Sequence, residues 1–373
     1  MKSIKKQKII ISVTNDLVTD KRVHETAVSL IKFGYEVLLV GRKLKNSLPV
    51  NRDYKTKRFN LPFNKGFLFY ACYNIRLFLF LIFAKADIFL ANDLDTLPAN
   101  FLASKIRKKK LVYDSHEYFT EVPELVNRPR VKRIWEKIEE FILPKIKHSY
   151  TVCNSIADIY NKKYGIDMKV VRNIPVCEFV KKQTVLSLPE EIKNRKIILY
   201  QGAVNIGRGI EPTIKAMQYV ENAVFLIIGN GDIFRDIKKL VQNLNLTNKV
   251  FFTGKIPFAD LYAYTKKADI GISLEENIGL NYYYALPNKL FDYIRANLPV
   301  LASPLPEIKN IVETYDIGCF IENHKPEHIA EKINFMLTSP EKMQTWKENL
   351  KKASAELCRE NEEKILKDIL LNL

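Results

Sequence analysis

Glycine is scarce in this chain, with 13 among 373 residues, about half the ~7% usual for globular proteins. Its placement is therefore informative. Nine of the 13 lie after residue 180, and Gly202, Gly229 and Gly254 fall at the ends of strand-like runs. Cysteine is as sparse. The five, Cys72, Cys153, Cys177, Cys319 and Cys358, are odd in number, scattered and never spaced as CxxC, which excludes a disulfide framework and a thiolate zinc site and fits a reducing cytoplasm. No long low-complexity tract occurs, and 47% hydrophobic with 27% charged residues argues against disorder. The apolar run near the start, IIISV, is too short for a signal peptide and reads as a first strand. Only residues 67 to 84, FLFYACYNIRLFLFLIFA, approach the length of a bilayer span, and Asn74 and Arg76 interrupt them. A central arginine costs about 2.5–3.5 kcal/mol on insertion scales. The stretch is expected to be a buried domain helix, with an interfacial helix as the second choice.

Acidic residues are short in one half. Residues 1 to 180 hold 33 Lys and Arg against 18 Asp and Glu, whereas the remainder holds 26 against 24. Nearly all of the net +17 is thus in the first half. Such asymmetry points to a large anionic partner, a membrane face or nucleic acid, unless it is simply a solvated surface.

A length of 373 residues suggests two domains. QKIIISVT, YEVLLVG, ADIFLAND, KLVYDSHE, SYTVCN and MKVVRNIP are short apolar strands alternating with helical segments. The alternation pauses over roughly 176–195 and restarts with KIILYQG, AVFLIIGNG, KVFFTG, ADIGISL, LPVLAS and IGCFIE. This is an α/β pattern of two parallel sheets covered on both faces. The expected division is 1–180, 181–345 and a Lys/Glu-rich C-terminal helix over 346–373, with packing back on the first domain as one expected placement. Because ligands of such sheets sit outside the carboxyl ends of the strands, the glycines place a small ligand in the second domain.

Two loops there carry cations. QGAVNIGRGIE (201–211) sets Arg208 between Gly207 and Gly209, so that main-chain amides and a guanidinium can approach phosphate oxygens. YYYALPNKLFDY (282–293) has Pro287 closing a loop, Asn288 as the expected helix cap, and Lys289 in the first helical turn, where a cation is unfavourable unless an anion sits with it. Asp292, one turn on, can accept bonds from sugar hydroxyls. Two such loops in one domain suggest a diphosphate held between them.

GRGIE, IIGNG and above all LPNKLFDYIRANLPVLAS resemble the donor-binding domain of retaining GT-B glycosyltransferases of the group one, family four class. VTNDLVTDKRVHETAVSLIKFGYEVLLVG, NDLDTLPA, VYDSHEYFTEVPEL and VVRNIP are similar to its first domain. The resemblance implies two Rossmann-like domains with parallel sheets facing a central cleft, the second domain binding donor and the first acceptor. It makes Arg208, Lys289 and His116 the catalytic candidates, the two cations neutralising a leaving diphosphate and His116 facing the donor sugar. Gly202, Gly207, Gly209, Gly229, Gly231, Tyr284, Pro287, Asn288, Leu290 and Asp292 become donor-binding candidates. Asn15, Asp16, Asp20, Arg22 and Glu117 are acceptor-side candidates. Two departures stand out: Tyr284 replaces the first glutamate of an E-x7-E motif whose second position is Asp292, leaving Glu275 or Glu276 as substitutes, and NDLVTDKR replaces a glycine-rich loop.

Asp93 and Asp95 form a DxD, a metal signature of another glycosyltransferase fold. Its position in the first half, remote from the cationic loops, favours a helix cap or an acceptor-side contact, and no metal or other cofactor is expected. The implied activity is retaining transfer of a hexose-like sugar from a nucleotide-diphosphate donor to a lipid-linked or surface-polysaccharide acceptor, by a cytoplasmic enzyme peripheral to an anionic membrane. A sugar-nucleotide epimerase on the same fold is the alternative. A nucleic-acid-binding protein using KIRKKK (105–110) is a remote third, since no recognised binding pattern accompanies it.

Overall fold

The computed structural model describes residues 6–18, 20–174, 192 and 194–373. Two compact units are present, Met1–Asn173 with Glu363–Leu373, and Ile174–Glu362. The division expected at 180/181 and Cys177 lie outside the described residues.

In the first unit, strands β1 (Lys8–Asp16), β2 (Glu36–Lys43), β3 (Lys55–Asn60), β4 (Ile88–Asn92), β5 (Lys110–Ser115), β6 (His148–Thr151) and β7 (Lys169–Val170) form one parallel sheet. Its order is β3-β2-β1-β4-β5-β6-β7, so the winding reverses between β1 and β4. Helices α1 (Lys21–Lys32), α2 (Gly66–Phe83), α3 (Leu97–Arg107), α4 (Pro123–Val126), α5 (Pro129–Ile142) and α6 (Asn154–Tyr164) connect the strands. Alternation along β1 sends Ile9 and Ile11 to one face and Ile10 to the other. The first pair packs with Val23, Ala27 and Leu30 of α1, and Ile10 with Tyr73 and Leu77 of α2 and Ala103 of α3.

The second unit repeats the plan with β8 (Lys196–Gln201), β9 (Ala223–Ile228), β10 (Val250–Gly254), β11 (Ile270–Ser273), β12 (Val300–Ala302) and β13 (Gly318–Phe320), ordered β10-β9-β8-β11-β12-β13. Here the winding reverses between β8 and β11, the place where open α/β sheets bind ligands. Its helices are α7 (Ile210–Ala216), α8 (Phe234–Asn243), α9 (Phe258–Lys267), α10 (Leu280–Tyr283), α11 (Asn288–Arg295), α12 (Pro306–Tyr315), α13 (Pro326–Leu337) and α14 (Pro340–Glu356). Ile210 and Ile214 of α7 and Ile329 of α13 cover one face; Leu290 and Phe291 of α11, Ile308 of α12 and Leu350 of α14 cover the other.

Three expectations change. The terminal region read as one element from 346 consists of two helices, α14 in the second unit and α15 (Arg359–Leu371), most of which joins the first. Leu366, Ile369 and Leu370 of α15 are buried against the β1 face, each burial stabilising by about 1.5–3 kcal/mol. Glu363 accepts a bond from Ser29 (2.8 Å) and pairs with Lys32 (2.7 Å). An unexpected strand, β3, has only Phe59 fully inside, so its polar edge sequence carries no apolar run to read. Finally, α2 is not a buried helix: only its Phe69, Tyr73, Leu77 and Leu81 stripe is inside.

Candidate active site

The second-unit site is built from three loops after β8, β9 and β11 and the start of α11. Close backbone packing sets their positions. Gly229 (φ 144°) passes so near the loop after β8 that a Cβ would stand 1.9 Å from the Gly202 carbonyl oxygen. Gly209 (φ 70°) abuts the loop after β11, where a Cβ would stand 2.2 Å from the Leu274 carbonyl oxygen. Both positions therefore require glycine on two counts, conformation and space. Gly202 and Gly207 also have positive φ, and Gly231 lies against Val204 and Asn205. The donated bond from Glu276 N to Gly207 O (2.9 Å) ties the β8 and β11 loops together.

Arg208 and Lys289 converge on one carboxylate. Lys289 Nζ is 2.7 Å and Arg208 Nη1 3.8 Å from Glu275 Oε1, and Ser273 Oγ donates to Glu275 Oε2 at 2.8 Å. Glu275 is fully buried and Lys289 almost so, while Arg208 keeps a quarter of its side chain in water. Aromatic faces complete the walls: Lys289 Nζ lies 4.1 Å from the Tyr200 ring centroid and Arg208 Cζ 4.7 Å from that of Tyr282. Burial alone would raise the Glu275 carboxyl, but Lys289 and then Arg208 hold it below its ordinary value. Burial lowers the Lys289 ammonium despite Glu275. Around Glu275 itself two cations thus face one fixed anion.

The other donor-side candidates divide. α11 starts at Asn288 with Pro287 in the cap position and no side chain capping it, so the expected Asn288 cap is not formed. A proline cap leaves no side-chain oxygen to take first-turn amides. Asp292 accepts from Gln201 Nε2 (2.9 Å), whose Oε1 accepts from Thr265 Oγ1 (2.7 Å). Leu290 is a core residue, fully buried with Phe291 and Ile294, and contributes no side chain to a ligand site. Tyr284 packs its ring edge-on against Tyr283 at 4.9 Å.

Sequence reasoning left Glu275 as a substitute sugar contact; the structure makes it the centre of the cationic pair. Tyr200 and Gln201 are not singled out by the sequence, although a polar glutamine closing the strand KIILYQ is a signal, and Tyr282 is read there only as part of the tyrosine run before Lys289.

In the first unit His116 stands just beyond β5 within a polar network. Its Nδ1 is 3.2 Å from Asp93 Oδ2, its Nε2 3.2 Å from Asp114 Oδ2 and 3.1 Å from Asn92 Oδ1, and its main-chain N–H donates to Asp93 Oδ1 at 2.8 Å. Burial would lower the imidazole, but Asp93 and Asp114 outweigh it and raise it to about 9. Asp114 also takes a bond from Arg22 Nη2 (2.7 Å), and Arg22 with His116 overcomes burial to hold that carboxyl well below its ordinary value. Arg22, expected on the acceptor side, is therefore turned inward, with Nη1 also bonded to the Val171 carbonyl (3.3 Å).

Asp20 caps α1 through Val23 N (3.1 Å) and accepts from Asn15 (3.0 Å); Asp16 accepts from Ser47 and pairs with Arg58 (3.2 Å). The Glu117 carbonyl accepts from Ser115 Oγ (2.9 Å). Asp95, expected with Asp93 to be a helix cap or an acceptor-side contact, accepts from Thr14 Oγ1 (2.6 Å), and burial followed by the nearby Asp93 charge raises it to about 8.

Comparison with known proteins follows the same two units. The family model described as Glycosyltransferase Family 4 matches residues 20–175, and that of the group 1 glycosyl transferases matches residues 187–353. The chain is a group 1, family four glycosyltransferase. An uncharacterized glycosyltransferase of Methanocaldococcus jannaschii is 24% identical to it over 67% of this chain and 65% of that one. The alpha-monoglucosyldiacylglycerol synthase of Streptococcus pneumoniae is 29% identical over 33% of this chain and 27% of its own. The matched stretch thus spans less than two thirds of either relative. Among solved structures, the HepE protein of Anabaena in complex with UDP superposes with a TM-score of 0.73 at 15% identity, covering 98% of this chain and all of that one. That likeness is one of fold, the GT-B arrangement of two Rossmann-like domains that the glycosyltransferase family shares.

Proposed function

We propose that this glycosyltransferase moves a sugar from a nucleotide-diphosphate donor to a lipid-linked or surface-polysaccharide acceptor with retention at the anomeric carbon. The observation that carries the reading is the convergence of Arg208 and Lys289 beside the switch point of the second sheet, where two cations on neighbouring loops suit a diphosphate. As the glycosidic bond to phosphate breaks, negative charge grows on the leaving oxygens, and preorganised cations in a partly dry site stabilise it without reorganising. The acceptor hydroxyl attacks from the face the diphosphate leaves, and a leaving-phosphate oxygen takes its proton, so no separate carboxylate base is needed. In this reading Asp292, held by Gln201 in the second turn of α11, accepts from the ribose hydroxyls.

No metal enters this reading, because Arg208 and Lys289 supply the counter-charge. The lipid side of the acceptor rests on two supports: the excess of +15 over residues 1–180 and the diacylglycerol glycolipid that the pneumococcal relative's name says it makes. In the same reading the enzyme works in the cytoplasm at the membrane surface.

Melting the protein with UDP, GDP, ADP or CMP tests the donor assignment, since a ligand of the folded state raises the transition. Arg208→Ala with Lys289→Ala then tests the chemistry; unchanged turnover and nucleotide affinity in the double variant refute it. Conversion of a nucleotide sugar to its epimer without acceptor would mark an epimerase instead.

A further inference from the structure

Helix α2 is apolar on nearly all sides, broken only by Asn74 and the exposed Arg76, with a mean hydropathy of 1.8 over its 18 residues, yet only 22% of it is buried. Helices of that composition are normally buried on all sides or in contact with lipid. The buried stripe is Phe69, Tyr73, Leu77 and Leu81. On the opposite side Leu68, Ile75, Leu79 and Phe83 face outward, Phe83 with 83% of its surface exposed. Helix α3 packs alongside and adds exposed Leu102 and Ile106. Arg107 Nη1 donates to the Leu81 (2.6 Å) and Ala84 (2.5 Å) carbonyls, so the last turns of the two helices meet and Phe83 and Ile106 share one end of the pair. A contiguous apolar surface of this kind on a soluble domain marks an interaction site.

Charge says what covers it. Neither 66–83 nor 97–110 contains a single Asp or Glu, and α3 runs into KIRKKK. Lys105 and Lys108 are exposed beside the apolar end; Lys109 pairs with Asp87. An anionic, apolar-cored partner complements both properties. The helix does not cross that partner, because polar bonds hold it to its own domain: Tyr73 Oη donates to Val13 O (2.6 Å), Asn74 Nδ2 to Asp95 O (2.8 Å) and Arg76 Nη1 to Asn60 O (2.6 Å).

We infer that the outer face of α2 and α3 docks on an anionic bilayer, lying in the headgroup plane with Leu79, Phe83 and Ile106 at the acyl boundary and Lys105 and Lys108 among the headgroups. This deepens the membrane part of the reading above, rests on it for its biological sense, and needs no sugar transfer to be observed.

Flotation of the full chain with vesicles of phosphatidylcholine alone, or with ~30 mol% phosphatidylglycerol, decides it. The protein is expected to partition at least ~10-fold better onto the anionic vesicles, falling steeply with salt. Leu79→Asp with Phe83→Asp, and separately Lys105→Glu with Lys108→Glu, should each lose about tenfold or more with unchanged melting, since all four side chains are exposed. Equal binding to neutral vesicles, or variants that float like the parent, overturns the inference. So does a dimer in light scattering that the Asp variant dissociates, or tight oligonucleotide binding, when vesicle binding is lacking. Transfer to a water-soluble acceptor, assayed without lipid, reports on the catalytic reading independently.

Discussion

Lys289 Nζ lies 2.7 Å from Glu275 Oε1, and both side chains are shut away from water. A buried cation needs a counter-charge, and here the protein supplies its own before any substrate arrives. The same Oε1 faces Arg208, so one carboxylate holds both cations in place.

Removing that carboxylate leaves Lys289 buried with its charge unmatched. Glu275→Ala is expected to cost about 3–5 kcal/mol in stability, as for other broken buried pairs. A bound nucleotide diphosphate would restore much of this by taking the anion's place. The check is the melting shift produced by UDP, which should be larger in Glu275→Ala than in the parent. A variant that melts early by the same amount with and without the nucleotides tested would show that Glu275 serves packing alone.

Arg208 and Lys289 differ in burial, and their variants should differ accordingly. Arg208→Ala is expected to lower kcat/KM by about 10²–10³, the usual loss of one preorganised donor, with little change in melting because the side chain is 26% exposed. Lys289→Ala should lose activity to a similar degree and also stability, since the buried Glu275 keeps only Ser273 and the more distant Arg208. Comparing urea midpoints and steady-state constants of the two separates these effects. Equal stability of both would contradict the burial difference.

Much of the architecture could be read from the chain because parallel strands buried on both faces appear as short continuous apolar runs, as in KIILYQ and AVFLII. β3 escaped because an edge strand has only one buried neighbour and a polar sequence. Arg208 and Lys289 were legible because a cation between glycines, or in a first helical turn, is anomalous without an anion. Glu275 was not, since nothing local says that a glutamate past a strand end folds back under two cations from 67 and 14 residues away. The same holds for α2: its uniform apolarity shows no preferred face, so composition alone could not tell how much of it the domain covers.

The His116 network predicts a pH dependence in the first unit. A group raised from its ordinary 6.5 to about 9 contributes stability that is fully present below pH 6.5 and lost as pH rises through 9. Asp95, raised from 3.8 to about 8, adds a fall of the same sign between those values. Asp114, held low, acts oppositely, and its contribution disappears only as pH drops below the ordinary carboxylate range. Trp135 and Trp346 are the only tryptophans and lie in different units. In a Trp346→Phe background, Trp135 fluorescence therefore reports the first unit alone. Its urea midpoint should decline from pH 6.5 to 9, and His116→Gln should shrink that decline below pH 8, where Asp95 still contributes, and abolish it above pH 8. An unchanged slope in His116→Gln would exclude the imidazolium.

Gly209 and Gly254 offer a controlled pair for the loop geometry. Their φ angles are nearly the same, 70° and 69°, but a Cβ at Gly209 meets the Leu274 carbonyl at 2.2 Å whereas one at Gly254 meets nothing within 4 Å. Alanine at Gly254 should cost only the left-handed backbone penalty, roughly 1–2 kcal/mol. At Gly209 the added steric clash must push the loop carrying Arg208 away from the one carrying Glu275. Nucleotide affinity should then fall by roughly tenfold or more, as for one displaced charge-assisted contact, while Gly254→Ala binds as the parent does. Titration calorimetry with the nucleotide selected by melting decides this, and equal affinities in the two variants would show that the approach of these loops is not what shapes the site.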